Sequence, residues 1–170
     1  MSSKGAQQGQ TILVIDDSEV MLERIKKALV ADGHTVTTTT HTVGSARYLP
    51  SCALVIIDYH MPGIDGFAVH EQLRGAAARL ERPPLFYLYT SDPKITSQQA
   101  KGFDGCFTNK GDETFLIQQV RAVFRLRQIR AMADKNRNVS EPPRGAETVG
   151  SVPPRGESRP KQSVPPDRKP

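Results

Sequence analysis

Two short apolar runs that each end on aspartate constrain this chain more than any other feature. Thr11-Ile-Leu-Val-Ile15 runs into Asp16-Asp17, and Ala53-Leu-Val-Ile-Ile57 runs into Asp58. Both are about five residues long, rich in β-branched side chains, and apolar at successive rather than alternate positions. That pattern fits a strand buried on both faces, which in turn requires helices packed on both sides of a sheet.

The remaining segments supply those helices. Ser18 stands as an N-cap with Glu19 in the first turn of a helix through Ala31 that stops at Gly33. Val20, Met21, Ile25, Ala28 and Leu29 are its expected apolar face. Residues 34–38 form a threonine-rich second strand, and a short helix is expected over 42–49, stopped by Pro50. After Asp58 a loop over 59–65 contains Pro62-Gly63, and Gly66 opens a helix to about Leu80. Pro83-Pro84 precedes a strand over Leu85–Tyr89 that ends at Thr90-Ser91. A short helix over 96–101 leads to a brief strand over 105–108 ending at Asn109-Lys110. Asp112 then caps a long helix to about Met132, with Phe115, Leu116, Val120, Val123 and Phe124 as its stripe.

Five strand–helix units in succession predict an α/β, doubly wound parallel sheet. In such sheets the ligand site lies beyond the carboxyl ends of the strands. The residues at those ends are Asp16, Asp17, Asp58, Thr90 and Lys110, distant in sequence but due to meet on one edge. Three converging carboxylates repel unless a cation sits among them, and oxygen ligands of this kind suit magnesium. A lysine ammonium can pair with a carboxylate and then with a phosphoryl oxygen, to which a threonine hydroxyl can also donate. A carboxylate between two cations is a competent nucleophile toward phosphorus, so the pattern reads as an aspartyl-phosphate site.

In this order, Asp16-Asp17, Asp58-Tyr-His-Met-Pro-Gly-Ile-Asp-Gly66, Thr90-Ser91 and Lys110 closely resemble the receiver domain of two-component response regulators. The resemblance covers about residues 10–133 and implies a flavodoxin-like sheet of order 2-1-3-4-5, as in single-domain chemotaxis regulators. It implies that Asp58 accepts a phosphoryl group from a histidine kinase or phosphotransfer protein. Asp17, Asp58 and the backbone carbonyl of His60 would ligate Mg2+, with Asp16 acting through water. Lys110 would contact the phosphate, Thr90 would be the switch hydroxyl and Phe107 the switch aromatic. Phosphorylation would draw Thr90 inward, let Phe107 turn, and alter binding of a protein partner at the face of the fourth helix, fifth strand and fifth helix. The only chemistry implied is phosphotransfer to, and hydrolysis from, the protein's own aspartate.

The chain departs from the family in three respects. Gly111 follows Lys110 where the family usually has a proline, often cis, that aims the lysine. The span from Thr90 to Lys110 is about two residues short, which implies a trimmed fourth helix. His60 and Asp92, each two residues past a site residue, stand where the family tunes hydrolysis of the phosphate.

Composition separates this domain from its flanks. Residues 1–9 form a flexible N-terminus by expectation, and 134–170 a disordered Pro/Arg-rich tail. The 135–170 segment holds 8 of the 13 prolines and eight Lys/Arg against four Asp/Glu, so +4 of the whole-chain +5 lies there. It repeats Pro142-Pro-Arg-Gly145 as Pro153-Pro-Arg-Gly156 and, loosely, at Pro165-Pro-Asp-Arg168, which allows either an inert linker or a docking segment. Cys52 and Cys106 have no metal-like spacing, and His34, His41 and His70 read as surface residues. The arginines of the last helix (121, 125, 127 and 130) read as solvated charge, which makes nucleic acid an unexpected partner. No leader peptide or apolar run of membrane-spanning length is visible, so a cytoplasmic protein is expected. Two competing readings remain: an unphosphorylated scaffold on the same fold, and a dehalogenase-type phosphatase, which would need the D-x-D pattern that Asp16-Asp17-Ser18 does not supply. DNA binding would need a helix-turn-helix for which no segment is left.

Overall fold

The computed structural model describes residues 9–95 and 100–139. The flanks over 1–8 and 140–170, and most of the short helix expected over 96–101, lie outside the described residues. The chain divides into two units, 1–131 and 132–170, and the described part of the second, 132–139, is helical.

The strands are β1 (Thr11–Ile15), β2 (Thr35–Thr39), β3 (Leu54–Asp58), β4 (Leu85–Tyr89) and β5 (Gly105–Phe107). They form a parallel sheet of order β2-β1-β3-β4-β5, as expected. The α-helices are α1 (Glu19–Ala31), α2 (Gly66–Ala77) and α3 (Glu113–Val139). Each begins at a side-chain cap that satisfies a first-turn N–H. Ser18 Oγ accepts from Met21 N at 3.3 Å, Asp65 Oδ1 from Ala68 N at 2.8 Å, and Asp112 Oδ1 from Phe115 N at 2.9 Å.

Alternation along the strands divides the core in two. Ile12, Val14, Leu54 and Ile56 pack with Leu22, Ile25 and Leu29 of α1 and with Leu116, Val120, Val123 and Phe124 of α3. Leu13, Ile15, Val55 and Ile57 pack on the other side with Val69 and Leu73 of α2 and with Leu49. Burial of both faces is why the strand runs are apolar throughout.

Several local expectations change. The buried face of α1 is Leu22, Ile25 and Leu29, with Met21 packed beside them, whereas Val20 is 72% exposed, so Leu22 takes the place expected of Val20. The segment expected as a helix over 42–49 is a 3-10 helix, Ser45–Ser51, with Pro50 inside it. Pro50 lies one residue before its end, where its missing N–H removes at most one bond of a short helix. The expected loop over 59–65 closes as a two-stranded antiparallel ladder, His60–Met61 against Ile64–Asp65, around Pro62-Gly63. Helix α3 continues through Val139, seven residues past its expected end and into the segment expected as tail; residues such as Asp134, Lys135 and Asn136 suit an exposed helical surface. His34 and His70 are buried, not on the surface, while His41 is exposed. His70 stacks on Phe103, ring centroids 4.1 Å apart, and meets Phe86 edge-on; His34 packs against Phe124.

Candidate functional site

The carboxyl ends of β1 and β3 bring Asp16, Asp17 and Asp58 together, one oxygen of each within 4.8 Å of the others. Asp16 and Asp58 are only 1% and 2% exposed, whereas Asp17 faces solvent. Gly66 explains part of the acidic motif: a Cβ there would lie 2.5 Å from the carbonyl oxygen of Asp58. Only glycine lets the start of α2 approach the strand end so closely.

Lys110, just past β5, reaches across the sheet edge. Its Nζ lies 2.7 Å from Asp16 Oδ2 and 2.7 Å from Asp58 Oδ1. Asp16 Oδ1 also accepts from the backbone N–H of Ser18 at 2.9 Å. Asp58 Oδ2, by contrast, is buried with no hydrogen-bond partner among the described residues. Burial raises the pKa of Asp58, while the Lys110 hydrogen bond and charge and the His60 backbone N–H pull it back down. For Lys110, burial favours the neutral amine, but the two carboxylates outweigh it and the pKa rises. The pair is therefore held ionised by mutual contact in a place that disfavours both charges.

The hydroxyl and aromatic candidates sit on neighbouring strands. Thr90 is buried directly after Tyr89, which pairs in register with Asp58. Its backbone N–H donates to Phe107 O at 3.1 Å, and its Oγ1 accepts from Asp92 N at 3.0 Å. Phe107 is 2% exposed and stacked on Tyr87, ring centroids 4.5 Å apart. The exposed imidazole of His60 places Nε2 3.7 Å from Asp92 Oδ2 across the mouth of the site.

The residues fit a divalent cation. Three carboxylates supply hard oxygen ligands, and the orphaned Asp58 Oδ2 is a buried acceptor whose solvation must come from something the protein does not provide. Of the five residues expected to meet on this edge, Asp16, Asp17, Asp58 and Lys110 bring their side chains together, while Thr90 Oγ1 is engaged by the backbone N–H of Asp92.

Two participants escaped the sequence reading. The Tyr89 hydroxyl accepts from Gly111 N at 3.1 Å, and Arg24 of α1 donates to Gly111 O at 3.0 Å. A tyrosine closing a buried strand was the one available hint, since its hydroxyl must find a partner there. Of the α3 arginines, Arg121 pairs with Asp32 and Arg127 donates to Ala53 O at 2.8 Å, so neither belongs to a free basic patch. No described helix is long and apolar enough to cross a membrane.

The family model for the response regulator receiver domain matches residues 12–121. A transcriptional regulatory protein of Mycobacterium tuberculosis, TcrA, is 34% identical over 107 residues, covering 59% of this chain and 39% of that protein. The chain thus spans about two fifths of the length of this relative. Among solved structures, a CheY-like receiver domain from Methylobacillus flagellatus superposes with a TM-score of 0.59 at 19% identity, covering 68% of this chain and 99% of that one. Chemotaxis protein CheY4 of Vibrio cholerae gives 0.58 at 19% identity, covering 68% and 98%. At these identities the structures speak for the fold alone.

Proposed function

This chain belongs to the response regulator receiver domain family of two-component signalling, and from that premise we propose that Asp58 is its phosphoacceptor and that phosphorylation changes which protein it binds. The observation that carries this reading is the asymmetry of the Asp58 carboxylate. One oxygen is neutralised by Lys110 at 2.7 Å and the other is buried with no hydrogen-bond partner among the described residues. The Asp58 carboxylate attacks the phosphorus of a phosphohistidine on a histidine kinase or phosphotransfer protein. A P–O bond forms, the P–N bond breaks, and the imidazole leaves with the electron pair and takes up a proton. Lys110 stays beside the acceptor and follows the charge that develops on the phosphoryl oxygens.

Asp16, Asp17, Asp58 and the His60 carbonyl would hold Mg2+, which when bound neutralises phosphoryl charge. Thr90 donates its hydroxyl to the new phosphate, releasing the Asp92 N–H that it now accepts, and Phe107 follows into the space it leaves. The output surface includes β5 and α3, together with the segment before β5. His60 and Asp92 at the mouth govern the access of water to the acyl phosphate. Residues 140–170 serve as a docking segment or a linker.

Incubation with magnesium and acetyl phosphate tests the reading directly. The mass of one phosphoryl group should be gained by the wild type and not by Asp58→Ala. Absence of any gain, together with no response to beryllofluoride, would favour the scaffold reading. A pull-down comparing the full chain with one ending at Val139, the end of α3, tests the tail; equal partner recovery removes its docking role.

A further inference from the structure

Lysine is a poor choice for a fixed charge unless its backbone is held. Its ammonium sits on a flexible four-carbon stem, yet Lys110 Nζ lies 2.7 Å from each of two carboxylates. The backbone on either side is in the left-handed region, Asn109 at φ 58° and Gly111 at φ 101°. Glycine reaches that conformation freely and also leaves it freely. The loop closes on itself through Asp112 N, which donates to Asn109 O at 3.0 Å, but that bond does not tie it to the rest of the fold.

The two polar groups of Gly111 are each taken by a different element. Its N–H donates to the hydroxyl of Tyr89 at 3.1 Å, and its carbonyl accepts from Arg24 Nη2 at 3.0 Å. Arg24 is itself held by Glu113, the first residue of α3, at 2.6 Å. Tyr89 is 1% exposed and has no freedom to follow a moving loop. Its carbonyl accepts from Tyr59 N at 3.2 Å, the residue after Asp58, and Thr90 follows it in the chain. One core residue thus ties the acceptor strand, the threonine and the lysine loop into a single frame.

We propose that the Tyr89 hydroxyl and the Arg24 guanidinium clamp the two peptide units that flank the Gly111 Cα and thereby aim Lys110 at Asp58, which makes both of them positioning residues for phosphoryl transfer. This rests on Asp58 being the acceptor. The clamp does the work that a conformationally restricted residue after the lysine would otherwise do. It also explains why glycine is tolerated there: Gly111 brings an N–H that proline lacks, and Tyr89 supplies the acceptor that this N–H needs.

The test measures the rate of phosphorylation by acetyl phosphate in saturating magnesium, with the full chain. Tyr89→Phe keeps the ring that fills the core and removes only the hydroxyl. It should slow the reaction about tenfold, the scale on which small misplacements act. Arg24→Gln, at a half-exposed side chain, should slow it by about threefold. The decisive arm is Lys110→Ala: a residue that acts by aiming the lysine has nothing to aim in its absence, so adding Tyr89→Phe should change the rate no further. A wild-type rate in Tyr89→Phe, or a defect that multiplies with that of Lys110→Ala, overturns the proposal. Hydrogen exchange at the Gly111 amide provides a readout independent of phosphorylation. Loss of its acceptor should speed exchange in Tyr89→Phe, and unchanged exchange also overturns the clamp. If the wild type itself takes no phosphate, the acceptor reading fails, while the exchange experiment still decides whether Tyr89 holds the loop.

Discussion

The two edges of the sheet handle buried polar groups in opposite ways. At the amino edge the groups around His34 have partners. His34 Nδ1 accepts from Gln10 N at 3.2 Å, with Nε2 3.5 Å from Asp32, which Arg121 pairs with; Arg127 caps the carbonyl of Ala53. At the carboxyl edge Asp16 and Asp58 share a single lysine, and Asp58 Oδ2 has nothing. Satisfied networks make a fold rigid and specific, whereas an unsatisfied buried acceptor is a standing penalty that persists where function uses it. His70 Nε2 is also buried without a hydrogen-bond partner among the described residues, so the contrast holds between the His34 and Asp58 clusters and not for every buried polar group.

The largest expected effect breaks the comparison if it fails. Asp58→Ala should abolish phosphorylation while leaving the melting temperature equal to or above that of the wild type in metal-free buffer. Removing one of two buried carboxylates relieves a repulsion, and Lys110 keeps Asp16 as a partner. A clear loss of stability would mean that Asp58 supports the fold as the amino-edge groups do. Arg127→Ala is the converse. It removes a charged hydrogen bond to Ala53 and should lower stability by about 1.5–3 kcal/mol in urea unfolding, with phosphorylation intact.

How far these edges could be read from the sequence follows the same division. β1 and β3 were legible because burial on both faces writes itself as unbroken apolar runs, and Asp16, Asp17, Asp58 and Lys110 were legible because the chain must present strand ends on one edge. Most of the buried face of α1 was legible, since Ile25 and Leu29 are buried and Met21 packs on the core, but Val20 and Leu22 are both apolar and only packing in the core decides that Leu22 goes inside. Burial of His34 and His70 was hidden because imidazole is polar in composition but aromatic in packing, so its neighbours Phe124, Phe86 and Phe103 settle the matter. The Tyr89–Gly111 and Arg24–Gly111 bonds join residues 22 and 87 positions apart, and no local pattern announces them.

A smaller effect sharpens the role of the lysine loop. Gly111→Ala meets no neighbouring atom, so any harm it does comes from the backbone at φ 101°. It should lower stability by about 1–3 kcal/mol and slow phosphorylation in the same variant. Loss of stability without loss of rate would show that the loop can strain and still aim Lys110.

The smallest effect concerns acid, to which the two edges should respond with opposite signs. Burial lowers the pKa of His34 below the ordinary 6.5, although Asp32 beside it pulls the other way. Between that lowered value and 6.5 the unfolded chain binds the extra proton, so the contribution of His34 to stability is full above 6.5 and falls as pH drops through the window. Burial raises Asp58 above the ordinary 3.8. There the folded chain binds the extra proton, so stability is gained as pH falls through the raised value. In metal-free buffer, the melting-temperature difference between wild type and His34→Gln should therefore shrink on acidification from neutral pH. The difference between wild type and Asp58→Asn should move in favour of the wild type at lower pH, as the native carboxyl takes its proton. Curves of the same sign for both variants would mean that Asp58 is as well compensated as His34, and the contrast between the two edges would be gone.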